Sequence, residues 1–322
     1  MEHRTLGRTD LNVSTLCLGT MTMGWTSSKE DSFAVMDYAL ENGINFFDTA
    51  DVYSFWAKGN PGGVAESWIG EWLTARNARD KVIIATKARG KMWAGPAGEG
   101  LSRSHLLRAV EDSLRRLQIE TIDLYQSHWP DNDTSVEETM RAFEDMVQQG
   151  KVRWLGCSNH SPAQLREGLD ASARLGISRY ESLQPHYNLV HRTEYEAELM
   201  SLCAREKLGV IPYSPLEGGF LTGKYRRDGS SPQNSRGHDS ERMAAYATEA
   251  GFKIVDSLAE IGQRHSATIA QTALAWLLAN PTVTSAIIGA NTVEQLAETV
   301  KAEQIKLTAA EKSRLDSLPS PR

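Results

Sequence analysis

Eight short apolar runs, each followed by a segment of helical pattern, constrain this chain more than any other feature. The runs are 15–19, 45–47, 82–86, 122–127, 152–157, 182–184, 210–213 and 285–288. A short apolar run bounded by turn signals reads as a buried strand. Helix starts lie between the runs: Ser135-x-x-Glu138, Thr193-x-x-Glu196, Thr292-x-x-Gln295 and Thr308-x-x-Glu311 read as capping boxes. Gly43, Gly150, Gly176 and Gly209 read as helix stops just before a strand. Eight β-then-α units in 322 residues predict a single domain, 1–322, folded as a parallel (β/α)8 barrel. A doubly wound open sheet is the alternative, and no G-x-G-x-x-G follows any strand to support it. Residues 5–13 are polar, contain Gly7 and precede the first strand; they are expected to cap the barrel floor. Residues 91–100 and 221–240 are long and irregular and follow the third and seventh strands. Such segments are usually lids or binding loops, and in a barrel the loops after strands gather on one face.

Composition removes several classes of function. Net charge is −6 and Lys and Arg are scattered, so no basic stripe points to nucleic acid. Cys17, Cys157 and Cys203 are widely spaced, with no C-x-x-C pair, and read as buried free thiols in a reducing compartment. The first residues, Met1 to Arg4, lack an apolar signal core, and no apolar run approaches the ~20 residues that span a bilayer. A cytoplasmic protein with no membrane partner is the expectation.

Every strand from the second onward ends in a group that can ionise, hydrogen-bond or admit a ligand. Asp48 and Tyr53 follow the second strand, Lys87 the third and His128 the fourth. Ser158 and Asn159 follow the fifth, Gln184 ends the sixth, Tyr213 and Ser214 end the seventh, and Gly289 the eighth. Taken singly, each has a bland reading: a loop tyrosine, a snorkelling lysine, a structural histidine, a turn-capping aspartate. Together they are a chemistry. A lysine at a buried strand tip needs a partner, and Asp48 is the natural one. A fixed positive charge beside Tyr53 favours the phenolate and is expected to lower the phenol pKa from ~10. His128 can orient the oxygen of a bound carbonyl. The set reads as a proton donor for a developing alkoxide.

With these residues placed, the chain resembles the aldo-keto reductase superfamily over essentially its whole length. Asp48-Thr49-Ala50-x-x-Tyr53, Lys87 and Ser127-His128-Trp129 look like that family's Asp, Tyr, Lys and His tetrad. Leu18-Gly19-Thr20-Met21, Leu155-Gly156-Cys157-Ser158-Asn159, Gln184-Pro185-x-Tyr187-Asn188 and Tyr213-Ser214-Pro215-Leu216 match as well. Together with Leu221-Thr222-Gly223-Lys224-Tyr225, the last of these is similar to the bacterial branches that also resemble potassium-channel β subunits. The resemblance implies an NADP-dependent reductase without a Rossmann fold. It implies Tyr53 as proton donor, tuned by Lys87 and Asp48, with His128 orienting the substrate. Ser158, Asn159 and Gln184 would hold the carboxamide, Tyr213 would stack on the nicotinamide, and Thr20 and Met21 would line its side. Ser214, Pro215, Leu216 and Gly218 would follow the pyrophosphate, and Lys224 and Arg236 would reach phosphates. Gly289, Ala290, Asn291, Gln295 and Glu298 would bed the adenosine half, where amides at the start of the Thr292 helix also suit an anion. One departure from the family matters: no basic residue lies between Gly289 and Val300. NADPH is still expected over NADH, its selectivity resting on Lys224, Arg236, Asn291 and Gln295.

Other motifs are decoys. Gly218 to Lys224 fits G-x-x-x-x-G-K, but Tyr225 stands where a P-loop needs Ser or Thr for magnesium. Asp48, Asp51, His128, His160 and His186 would suit a metal-dependent barrel hydrolase, yet no H-x-H or H-x-x-x-H pair occurs and Lys87 would oppose a cation. No metal is expected. Trp25, Phe55, Trp56, Trp93 and Trp129 all lie in loops after strands one to four. About half are expected in a loop core and the rest around an apolar pocket above Tyr53, which favours apolar or aromatic carbonyl or alcohol substrates. A nucleotide-binding regulatory subunit with incidental turnover is the competing function.

Overall fold

The apolar runs become strands that pair in one continuous parallel order. The computed structural model describes residues 1–95, 97–230 and 241–322. A hairpin of β1 (His3–Thr5) and β2 (Asn12–Ser14) comes first. The barrel strands are β3 (Leu16–Gly19), β4 (Phe46–Asp48), β5 (Ile83–Ala88), β6 (Ile122–Ser127), β7 (Val152–Ser158), β8 (Tyr180–Gln184), β9 (Gly209–Val210) and β10 (Ala286–Gly289). They run β10-β3-β4-β5-β6-β7-β8-β9, and each neighbouring pair is parallel. The ring closes between β9 and β10 through a Val210–Val283 bridge, with the Thr284 and Ile287 amides donating to the Val210 and Pro212 carbonyls at 2.8 and 3.0 Å. This is the (β/α)8 barrel read from the sequence.

Helices α1 (Lys29–Glu41), α2 (Val64–Arg76), α3 (Arg103–Leu117), α4 (Val136–Gln148), α5 (Pro162–Leu175), α6 (Met200–Glu206), α7 (Glu241–Ala244), α8 (Glu249–Arg264), α9 (Ile269–Leu278), α10 (Val293–Val300) and α11 (Ala309–Asp316) complete the chain. The larger core lies between sheet and helices. A smaller one fills the barrel floor, where Leu6, Leu11 and Val13 of the hairpin region meet Cys17, Phe46, Ala85, Leu124, Ile211 and Ile287. The expected cap is therefore a plug with its own apolar contacts, and burying such side chains is worth about 1.5–3 kcal/mol each. No helix among the described residues is long and apolar enough to cross a membrane.

Several local expectations change. Thr308 and Glu311 form a full capping box. At Ser135 and Thr292 the cap hydroxyl accepts the expected amide, but Glu138 and Gln295 turn to the Arg103 and Asn291 amides instead. Thr193 caps nothing: it already lies in the helical turn that runs into a π-helix at Tyr195–Leu199. Gly209 is a strand residue, and the preceding helix stops on Lys207 at φ +55°. A Cβ at Gly209 would stand 2.4 Å from Leu6 Cδ1, so the floor plug is what requires glycine there. The seventh apolar run leaves regular pairing after Val210, since Pro212 has no N–H to continue the ladder. Tyr213 rejoins it, its amide donating to the Pro185 carbonyl at 3.0 Å.

Candidate active site

The tips of β4, β5, β6 and β8 place four polar side chains inside the barrel mouth. The Lys87 ammonium donates to Asp48 Oδ1 at 2.6 Å, to the Thr49 carbonyl at 2.7 Å and to the Tyr53 hydroxyl oxygen at 3.2 Å. The other Asp48 oxygen accepts from the Gln184 amide at 2.9 Å and the Gln126 amide at 3.2 Å. Strand register sets this cluster, since Lys87 pairs with Gln126 across β5 and β6. Burial acts to lower the Lys87 pKa, but the Asp48 carboxylate and the Tyr53 oxygen outweigh it, so the ammonium is held charged.

Tyr53 departs from expectation in one respect. Its pKa is raised, not lowered. Burial is the largest cause, the Lys87 charge opposes it, and Asp48 cancels part of that opposition. The phenol is thus kept protonated, and because Lys87 donates to its oxygen, its own O–H is free to point elsewhere. His128 packs edge-on to the Tyr53 ring, centroids 5.9 Å apart, and stacks on Trp129 at 3.7 Å. Burial first, then the charges of Lys87 and Arg89, hold its pKa well below the ordinary 6.5, so the imidazole is neutral at pH 7. Its Nδ1 is buried without a hydrogen-bond partner.

Behind the Tyr53 loop lies a second buried acid. The Asp51 amide donates to the Lys87 carbonyl at 3.0 Å, while neither carboxyl oxygen has a hydrogen-bond partner. Burial, then the nearby Glu66 carboxylate, push its pKa well up. Glu66 itself is satisfied by Thr86 and by Arg116 at 2.7 Å.

The next stretch of rim is an interlocked shelf. The Tyr213 hydroxyl donates to Asn159 Oδ1 at 2.8 Å. Asn159 Nδ2 donates to the His128 carbonyl and to Ser158 Oγ, at 2.9 and 3.0 Å, and Ser158 donates to the Gln184 carbonyl at 2.9 Å. The Gln184 amide nitrogen is spent on Asp48, leaving its carbonyl oxygen as the group that could meet a carboxamide N–H.

A cavity of about 650 Å³ runs from Tyr53 across this shelf to α10. Met21, Asp48, Tyr53, His128, Ser158, Asn159, Gln184, Tyr213, Ser214, Pro215, Leu216, Gly218, Lys224, Gly289, Ala290, Asn291, Gln295 and Glu298 all line it. Thr20 does not: it is fully buried, and its hydroxyl and amide both donate to the Asp48 carbonyl at 3.0 Å. Arg236 lies outside the described residues. The start of α10 offers fewer amides than expected, because Gln295 and Thr292 already accept the Asn291 and Gln295 N–H groups.

The wall is open where β3 meets β10. Gly19 and Gly289 pair across β3 and β10, and a Cβ at Gly289 would meet only the Gly19 carbonyl, 4.0 Å away, so it would project into the open cleft. Sequence reasoning missed Gly19 and Gly219 as wall residues by role, and Gln126, whose amide donates to Asp48, altogether. Of the loop aromatics, Trp56 and Trp129 line the cavity and Trp25 packs edge-on against Trp56 at 5.6 Å. Trp93 is loop core, stacked on His105 beneath Arg108. Among the described residues no group of three His, Cys, Asp or Glu could hold a metal.

The model of the aldo/keto reductase family matches residues 15–319. This chain belongs to the aldo/keto reductase family. It is 40% identical over 315 residues to the uncharacterized oxidoreductase YrpG of Bacillus subtilis, spanning 95% of this chain and 92% of that one. It is 36% identical over 310 residues to L-glyceraldehyde 3-phosphate reductase of Escherichia coli, covering 94% and 87%. It is 33% identical over 316 residues to a probable voltage-gated potassium channel subunit beta of Arabidopsis thaliana, covering 95% and 92%. The chain is therefore an oxidoreductase of the aldo/keto reductase family, with the cluster around Lys87 as its candidate centre.

Proposed function

We propose that this protein reduces aldehydes or ketones to alcohols with a nicotinamide nucleotide, NADPH in preference to NADH, or runs the reverse reaction. The observation that carries the reading is Lys87 Nζ, which reaches both Asp48 and the Tyr53 hydroxyl at the floor of the cavity. When bound, the nucleotide supplies the hydride. Tyr53 donates the proton to the carbonyl oxygen, and Lys87 stabilises the phenolate left behind. Asp48 keeps Lys87 in place, and neutral His128 orients the carbonyl. Ser158, Asn159 and the Gln184 oxygen hold the carboxamide, with Tyr213 as the ring platform. Residues 214–218 with Lys224 take the phosphates, and the Gly289 to Glu298 wall takes the adenosine. Lys224 supports the NADPH preference; Arg236 is proposed beside it. Trp56 and Trp129 favour apolar or aromatic substrates. A cytoplasmic location accords with the three buried thiols.

The likeness to a plant potassium channel subunit supports a second reading, a nucleotide-binding regulatory subunit with incidental turnover. One experiment separates them. NADPH and NADH are titrated by quenching of tryptophan fluorescence, and carbonyl-dependent loss of NADPH absorbance is followed for wild type and Tyr53→Phe. Reductase function predicts tight NADPH binding by both proteins and at least ~10²-fold slower turnover in Tyr53→Phe. Turnover that survives the substitution removes Tyr53 as the acid. Tight binding with negligible wild-type turnover favours the regulatory reading.

A further inference from the structure

The Tyr213 side of the cavity is backed by a buried polar network that the proposed chemistry does not use. The Tyr213 ring lies nearly parallel to His186, centroids 5.0 Å apart and planes at 17°. His186 stacks in turn on His191 at 3.8 Å. His191 Nδ1 is 3.0 Å from the Tyr246 hydroxyl, just after α7. Beside this stack stands Glu217, wholly buried, with Oε2 2.5 Å from His186 Nε2. Asn188 Nδ2 donates to the same oxygen at 2.8 Å and to the Ser214 carbonyl at 2.9 Å. Asn188 Oδ1 accepts the Val190 and His191 amides, so its side chain cannot swing away without leaving the Val190 amide unpaired.

Glu217 sits in an unusual backbone. Ser214, Glu217, Gly218, Gly219 and Gly223 all have φ between +45° and +93°. Glycine adopts that conformation freely, but Ser214 and Glu217 are strained there. A surrounding structure must over-determine them. The Glu217 amide donates to the Ser214 carbonyl at 3.0 Å, and its side chain is fastened to His186 and Asn188. A carboxylate here also lies behind the wall formed by Ser214, Leu216, Gly218 and Gly219.

We propose that Glu217 is a positioning residue for nucleotide binding. It holds the curve of residues 214–223 in the shape that accepts the phosphates. His186, bonded to Glu217 and stacked on Tyr213, ties that curve to the nicotinamide platform. The inference rests on the nucleotide reading of the cavity given above. It separates affinity from proton donation: loosening the tether weakens nucleotide binding and leaves the Tyr53 chemistry in place.

The test uses the full chain and three measurements: the NADPH dissociation constant, kcat at saturating NADPH, and the melting temperature. Glu217→Ala is expected to raise the dissociation constant at least about tenfold, since a disordered curve must be ordered on binding, with kcat within about threefold of wild type. Glu217→Gln keeps an acceptor for both donors and is expected to recover most of the affinity. If Glu217→Ala does not fold, His186→Phe keeps a ring against Tyr213, removes the donor and carries the same expectation. Wild-type protein that binds neither NADPH nor NADH overturns the nucleotide reading and this inference with it. Wild-type binding with unchanged affinity in the variants overturns this inference alone, as does a fall in kcat at unchanged affinity or no recovery in Glu217→Gln.

Discussion

Asp48 and Lys87 meet at 2.6 Å inside the barrel mouth, and neither side chain is more than 1% exposed. Breaking a buried pair by removing one charge leaves the other uncompensated, at about 3–5 kcal/mol. Asp48→Asn is therefore expected to lower unfolding stability by that order. It also removes the charge that keeps the Lys87 pKa up. Urea unfolding checks the first effect, and a loss under ~1 kcal/mol would mean that the pair does not hold the tips of β4 and β5 together.

His128 gives a signed pH effect. The folded protein keeps the imidazole neutral, whereas the unfolded chain takes up a proton as pH falls below about 6.5. Its contribution is complete above that value and is lost as pH falls toward the lower folded pKa. His128→Asn should flatten the drop in melting temperature between about pH 6.5 and 5. Parallel profiles for the two proteins would show that His128 titrates normally. The wild-type kcat/KM profile is likewise expected to carry no limb near 6.5.

Asp51 has the opposite sign. With its folded pKa raised, its contribution is present below about pH 4 and is lost as pH rises through the folded value. Asp51→Asn should therefore gain in unfolding free energy relative to wild type at pH 8 more than at pH 5, by an amount on the order of 1 kcal/mol. An equal change at both pH values would mean that the acid has found a partner.

Leu6 tests the floor plug. It is fully buried in the small cluster inside the barrel. Leu6→Ala should cost about 2–5 kcal/mol, while nucleotide affinity, measured at the other end of the barrel, stays unchanged. Denaturation within ~1 kcal/mol of wild type would make the hairpin a loose cover.

The barrel and the cluster around Lys87 were legible because both rest on local pattern: apolar runs with polar residues at their tips. Gln126 escaped although the strand period that brings Lys87 and Asp48 inward also turns it inward, two residues before His128. It sits inside the run, where a glutamine looks like an interruption rather than a site. Thr20 was misplaced since the turn after β3 aims its hydroxyl at the Asp48 carbonyl, and no spacing rule encodes that turn. The direction of the Tyr53 pKa was misread because charge was visible in the sequence and the depth of burial was not. Glu217 and His186 lie far apart in the chain, and no periodicity links them.

The barrel seam between β3 and β10 has a consequence for how the molecule is made. Leu16 pairs with Ala286, so nearly the whole chain lies between two hydrogen-bonded neighbours. On the ribosome, β3 emerges early and waits for its partner with one edge unpaired, able to zip onto another nascent chain. Ring closure is a contact of extreme sequence separation, the kind that slows folding. Only when synthesis reaches Gly289 can Gly19 gain the neighbour that completes the cleft wall.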